Sequence, residues 1–146
     1  MRHSIVAALM CAGLASCSER HDVGSICPSP DSGLIVHISN GLVFFDHGSA
    51  RLAQRAVAYL DRMEPAIWLR CVDRVDVVGH TDRSGSSADN LKLSLLRAEV
   101  VRDALIARGV PRSVLIVRGV GEDDPLIPTA DGVAEPQNNF VEVNPQ

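Results

Sequence analysis

Aromatic side chains are scarce in this sequence, with one Trp, one Tyr and three Phe among 146 residues. The core must therefore be aliphatic. Basic residues are also outnumbered, 14 Lys and Arg against 18 Asp and Glu, for a formal net charge of -4. An acidic chain with few stacking side chains has neither the basic stripe nor the platforms of a nucleic-acid binder, so that class of partner is excluded. No Gly-rich loop followed by Lys and Ser or Thr is present, and Gly119-Val120-Gly121 is too sparse to cradle a phosphate and reads as a turn. Ser84, Ser86 and Ser87 lack a Gly-x-Ser-x-Gly elbow and a base with its orienting partner; they read as loop and helix-cap residues. His80 has no second histidine at ligand spacing, so its ring is expected to hydrogen-bond loop backbone, and no metal or other cofactor is expected. No internal repeat is visible, and the length suits one folded domain plus a leader.

The leader comes first. Arg2 and His3 precede an apolar run from Ile5 to Leu14 that is too short to span a bilayer, the pattern of a secretion signal. Its end, Leu14-Ala15-Ser16-Cys17, resembles the lipobox of bacterial lipoproteins, where small residues precede a cysteine whose thiol receives diacylglycerol. The resemblance implies a signal peptide over residues 1–16 and Cys17 as a lipidated mature N-terminus, held in the bilayer by several acyl chains, palmitate among them. Loss of that leader removes Arg2, leaving 13 basic against 18 acidic residues and a charge of -5. In this class of signals a residue other than Asp after the cysteine implies the outer membrane, and here it is Ser18, so the domain is expected to face the periplasm. Residues 17–32, rich in Ser, Pro, Gly and Asp, read as a flexible tether with a reach on the order of 20 Å. Cys11 would leave with the leader. Cys27 and Cys71 would remain in an oxidising compartment, either bridged or as two separate thiols.

Residues 33–146 carry the folding pattern. Leu34 to Ile38 and Leu42 to Phe45 are apolar runs joined through Asn40-Gly41, a hairpin pattern. Ser49 can cap a helix to about Glu64, with Leu52, Ala53, Ala56, Val57, Leu60 and Met63 at helical spacing and Pro65 beyond. Val75 to Val78 read as a strand ending at Gly79, followed by a polar loop from His80 to Asn90. A second amphipathic helix is expected from about Asp89 to Arg108, ended by Gly109 and Pro111, with further strands at Val114–Val117 and Phe140–Val143. The order predicts an α+β fold, a mixed β-sheet with helices packed on one face.

One stretch is more specific. Gly79-His80-Thr81-Asp82-Arg83-Ser84-Gly85, then Asn90, then Leu93-Ser94-Leu95-Leu96-Arg97-Ala98, resembles the OmpA C-terminal-like domain, the peptidoglycan-binding module shared with Pal and MotB. The resemblance extends over about residues 33–143, through Asn40-Gly41 and Phe44-Phe45-Asp46 to Arg118-Gly119-Val120-Gly121-Glu122 and Pro125. It implies a βαβαβ arrangement preceded by a β-hairpin, and a site in which Asp82 and Arg97 hold the diaminopimelate side chain of the stem peptide. It further implies that Asn90 and the backbone around Asp46 and His47 line the pocket, with Leu93 as apolar wall. The chemistry agrees, because the free end of diaminopimelate is a zwitterion that one carboxylate and one guanidinium can grip, the latter bidentately. Outside that pattern, an Asp and an Arg are more often a surface ion pair worth under about 1 kcal/mol.

The sequence departs from the family at one place: Asn138-Asn139-Phe140-Val141-Glu142 stands where Asn-Arg-Arg-Val-Glu is common, so both arginines are missing. The expected function is non-enzymatic, a lipid at one end and peptidoglycan at the other. Two rivals follow from the same residues: a docking subunit of a trans-envelope complex of secretion or Tol type with weak or lost peptidoglycan binding, and an envelope hydrolase using His80 and Asp82 as acid and base.

Overall fold

A computed structural model describes residues 41–62 and 72–146. Cys17, the tether, Cys27, Cys71 and the expected strand Leu34–Ile38 lie outside those residues. Four described strands form one mixed sheet in the order β1-β4-β2-β3. Strand β1 (Gly41–Phe44) runs antiparallel to β4 (Phe140–Pro145), which is antiparallel to β2 (Val75–His80), which is parallel to β3 (Leu115–Gly121). A parallel pair requires a crossover, and helix α2 (Ser87–Ala107) provides it.

Alternation along the strands sends Val43, Val75, Val77, Val141 and Val143 to one face, where Ala56 and Leu60 of helix α1 (Gln54–Arg62) and Ala98, Val101 and Leu105 of α2 meet them. Each fully buried valine or leucine contributes about 1.5–3 kcal/mol relative to exposure. The core is aliphatic as expected, with Phe45 the one buried ring in that cluster among the described residues.

Two glycines set the height of α2 above the sheet. Gly79 and Gly119 are neighbours in the β2–β3 register. A Cβ on Gly79 would lie 1.9 Å from the Ser94 carbonyl oxygen, and one on Gly119 2.4 Å from the Leu95 nitrogen. The helix backbone therefore rests directly on the strands. Ser94 completes the joint, its hydroxyl accepting from the Gly121 N–H at 2.8 Å and donating to the Leu91 carbonyl at 2.8 Å.

Both ends of α2 follow from the sequence. Ser86 caps the start, its Oγ accepting from the Asp89 N–H at 3.2 Å. Gly109, at φ +94, lets the Val110 N–H reach back to the Leu105 carbonyl at 3.1 Å and its own N–H to Ile106 at 2.9 Å, a Schellman ending sealed by buried Leu105 and Val110.

Three expectations are corrected. Helix α1 begins at Gln54, not after Ser49; the Ser49 hydroxyl accepts from Arg51 N–H at 3.1 Å and its N–H donates to the Asp46 carbonyl, holding a turn in place of a helix. Gly41 is not in a turn but opens β1, paired with Val143 of β4. Gly119 and Gly121 belong to β3, which outruns its expected end at Val117, with a register irregularity opposite Gly79 and His80.

Candidate functional site

The site forms where β2 ends. The β1–α1 loop, the β2–α2 loop, the first turns of α2 and the residues just before β4 converge there around a cleft of about 210 Å³, whose lining includes His47, Thr81, Asp82, Asn90, Leu93 and Asn139. Clefts at the carboxyl ends of parallel strands are common binding positions, since loops diverge there over a fixed sheet.

Asp82 is buried to 2% exposure beside this cleft. Its Oδ1 accepts from the Ser84 N–H at 3.1 Å and from the Ser84 hydroxyl; its Oδ2 accepts from Asn139 Nδ2 at 2.7 Å and His47 Nδ1 at 3.1 Å. Burial alone would push the carboxyl up, but the hydrogen bonds from Ser84, Asn139 and His47 outweigh it and hold its pKa at about 2. The cleft therefore presents a permanent anion at neutral pH.

Arg97 is fully buried behind this wall. Nε donates to the Ser49 carbonyl at 2.8 Å, Nη1 to the His80 carbonyl and to Asn139 Oδ1, both at 2.8 Å, and Nη2 to the Asp46 carbonyl at 3.0 Å. Four of the five N–H groups of a guanidinium are thus committed. Its carbon also lies 5.4 Å from the Phe45 ring centroid. Burial pulls its pKa down to about 10, with the Asp82 charge acting against the shift, so it stays protonated at neutral pH.

The other expected residues divide. Asn90 and Leu93 line the cleft, and Asn90 Nδ2 donates to the Asp82 carbonyl at 3.3 Å and to Glu122 at 2.5 Å. Asp46 gives Arg97 its carbonyl, whereas its carboxylate points away and sits 3.7 Å from Arg55. His47 lines the cleft, and its ring reaches Asp82. Thr81 is buried there, and its hydroxyl has no partner among the described residues. His80 bonds to loop backbone as expected, Nδ1 donating to the Asp124 carbonyl at 3.1 Å, with its ring stacked on Phe140 at 4.2 Å. Burial lowers the His80 pKa, consistent with a neutral ring whose Nε2 is enclosed without a partner.

A model described as the OmpA family matches residues 44–139, two thirds of the chain and all four segments of this site. The chain belongs to the OmpA family. An outer membrane protein of Gluconacetobacter diazotrophicus is 36% identical to it over 108 residues, covering 70% of this chain and 29% of that protein. The chain thus spans under a third of that relative's length. The peptidoglycan-associated lipoprotein of Rhizobium meliloti is 28% identical over 135 residues, 84% of this chain and 75% of its own. Among solved structures, the peptidoglycan-associated lipoprotein from Burkholderia pseudomallei matches with a TM-score of 0.65 at 28% identity, over 72% of this chain and 89% of that one.

Within this OmpA-family site, sequence reasoning missed Asn139. The residue is 1% exposed and joins the two charges: Nδ2 donates to Asp82, while Oδ1 accepts from Arg97 Nη1 and, at 3.3 Å, from the Asp82 N–H. A carboxylate on one side and a guanidinium on the other leave the amide one orientation. The available signal was the departure itself, an Asn standing where the family commonly has Arg.

Proposed function

We propose that this domain binds peptidoglycan non-covalently through the diaminopimelate end of the stem peptide, without turnover. The observation that carries the reading is Asp82, an ionised carboxylate beside a cleft large enough for an amino-acid head group, with the Arg97 charge close behind it. The names of two similar proteins, both peptidoglycan-associated lipoproteins, support it. Asp82 pairs with the ligand ammonium; Leu93 packs on the carbon chain; Asn90 holds the Asp82 loop to α2.

Arg97 takes a narrower role than a bidentate clasp. With four N–H groups bound to the protein and no surface of its own, it supplies positive potential to the ligand carboxylate from behind the cleft wall. A two-pronged grip would require the Asp46 to Ser49 turn to release its carbonyls. The unpartnered hydroxyl of Thr81, which lines the cleft, is the donor offered to the same carboxylate.

We further propose that lipid on Cys17 ties the domain to the outer membrane, facing the periplasm, so that the molecule links membrane to wall. No described helix is long and apolar enough to cross a membrane. The test is co-sedimentation with purified peptidoglycan and calorimetry with a diaminopimelate-containing peptide, comparing wild type with Asp82→Ala. Binding lost in Asp82→Ala is expected; a wild type left in the supernatant would overturn the reading. Cys17→Ala should move the protein from the membrane fraction to the soluble periplasmic fraction.

A further inference from the structure

Asp82 is already fully partnered by the protein, and the proposed function requires that one partner give way to the ligand ammonium. Ser84 binds Oδ1 through its own neighbouring backbone, and Asn139 is buried and tied to Arg97. His47 differs from both: its side chain is 65% exposed while its Nδ1 sits 3.1 Å from Asp82 Oδ2. An ionised carboxylate only accepts, so Nδ1 carries the hydrogen.

The ring also has somewhere to go. A second groove of about 510 Å³ lies on its other side, lined by Phe44, Asp46, Arg55, Pro136 and Gln137 among others. His47 lines both spaces and so divides them. Moving the ring into the groove would free a lone pair on Asp82 and join the two clefts into one channel.

We propose that the His47 side chain is a built-in competitor for the ligand ammonium at Asp82, a specificity-determining gate that binding must displace and that acid tightens. The idea rests on the peptidoglycan reading above. A neutral imidazole gives Asp82 one ordinary hydrogen bond; an imidazolium gives it an ion pair, which a ligand cation displaces less readily. The charged groups facing the ring from the packed elements are Asp82 on the β2–α2 loop, Asp46 in its own loop and Arg55 of α1, while Arg97 of α2 is fully buried behind Asp82. Arg55 lies 3.7 Å from Asp46 and offsets that carboxylate's pull on a protonated ring, so Asp82 remains the favoured partner.

The experiment measures binding of a diaminopimelate-containing peptide at about pH 8 and about pH 5, either side of the range in which imidazoles titrate. Wild type, Asp82→Ala, His47→Ala and His47→Gln are compared, each on the full chain. Wild type is expected to bind about two- to five-fold more weakly at the lower pH, a modest change because one partner of the pair, the His47 ring, is largely exposed. His47→Ala and His47→Gln should bind equally at both, and at the lower pH more tightly than wild type. A pH dependence that persists without His47, or weaker binding by both His47 variants at both pH values, would overturn the gate while leaving the peptidoglycan reading intact. Absence of wild-type binding at pH 8, or binding there indifferent to Asp82→Ala, would instead overturn the underlying reading and the gate with it.

Discussion

Asp82 and Arg97 stand on either side of one bridging amide, and the protein surrounds them in different ways. Three of the four acceptors around Arg97 are main-chain carbonyls, from Asp46, Ser49 and His80, each fixed by the loop or strand that carries it. Three of the four donors around Asp82 are side-chain groups, and one belongs to an exposed ring. A charge held by main chain is part of the framework, because moving it unravels three segments. A charge held by side chains can exchange a partner at the cost of a rotamer. The anion is thus the charge whose partners can change, and the cation fixes the wall behind it.

Breaking the framework side should cost most. Arg97→Ala would take the donor from three carbonyls and leave the Asp82 charge without its compensating cation, and is expected to lose about 3–5 kcal/mol in urea unfolding. A loss under about 1 kcal/mol would mean that the two charges are held alike. Gly79→Ala addresses the same framework through α2: its Cβ would meet the Ser94 carbonyl, so the helix has to lift, at a cost on the order of 3 kcal/mol in the same measurement.

On the anion side the effect depends on pH. The Asp82 pKa is lowered from 3.8 to about 2, so the folded state favours the ionised form. The stabilisation, about 2 kcal/mol, is present above pH 4 or so and is lost as pH falls toward about 2. Unfolding titrations between those values should show this loss in wild type and lack it in Asp82→Asn. The smallest effect belongs to the exchangeable partner: His47→Ala should change neutral-pH stability by no more than about 0.5 kcal/mol, since the ring is on the surface and three donors remain on Asp82. A thermal melt suffices to check it.

The same division governs what could be read from the sequence. Helix α2 was legible because cap, apolar spacing and terminal glycine agree at Ser86, Val101 and Gly109; β2 and β4 were legible from their valines. The start of α1 was not, because Leu52 and Ala53 continue a helical spacing while the residues from Asp46 to Ser49 are held in a turn by Arg97, 48 to 51 positions away and beyond any local window. Asp82, Asn90 and Leu93 were found by a pattern of residue types and do line the cleft. That Arg97 faces inward could not be read, since spacing tells which residues share a neighbourhood and says nothing of carbonyls aimed at one guanidinium. Asn139 escaped for a related reason: its role comes from bridging two charges, and an amide's partners leave no periodic trace.

The strand order has one further consequence. Strand β4 is the last of the four described strands to be made, yet it lies between β1 and β2, with Val141 and Val143 fully enclosed. Until Phe140–Pro145 emerge, β1 lacks its neighbour in the sheet and the β2 edge of the β2–α2–β3 unit stays open. Completion of the core therefore waits for Phe140–Pro145. A strand made late and placed in the middle thus couples the closing of the sheet to the joining of its two halves.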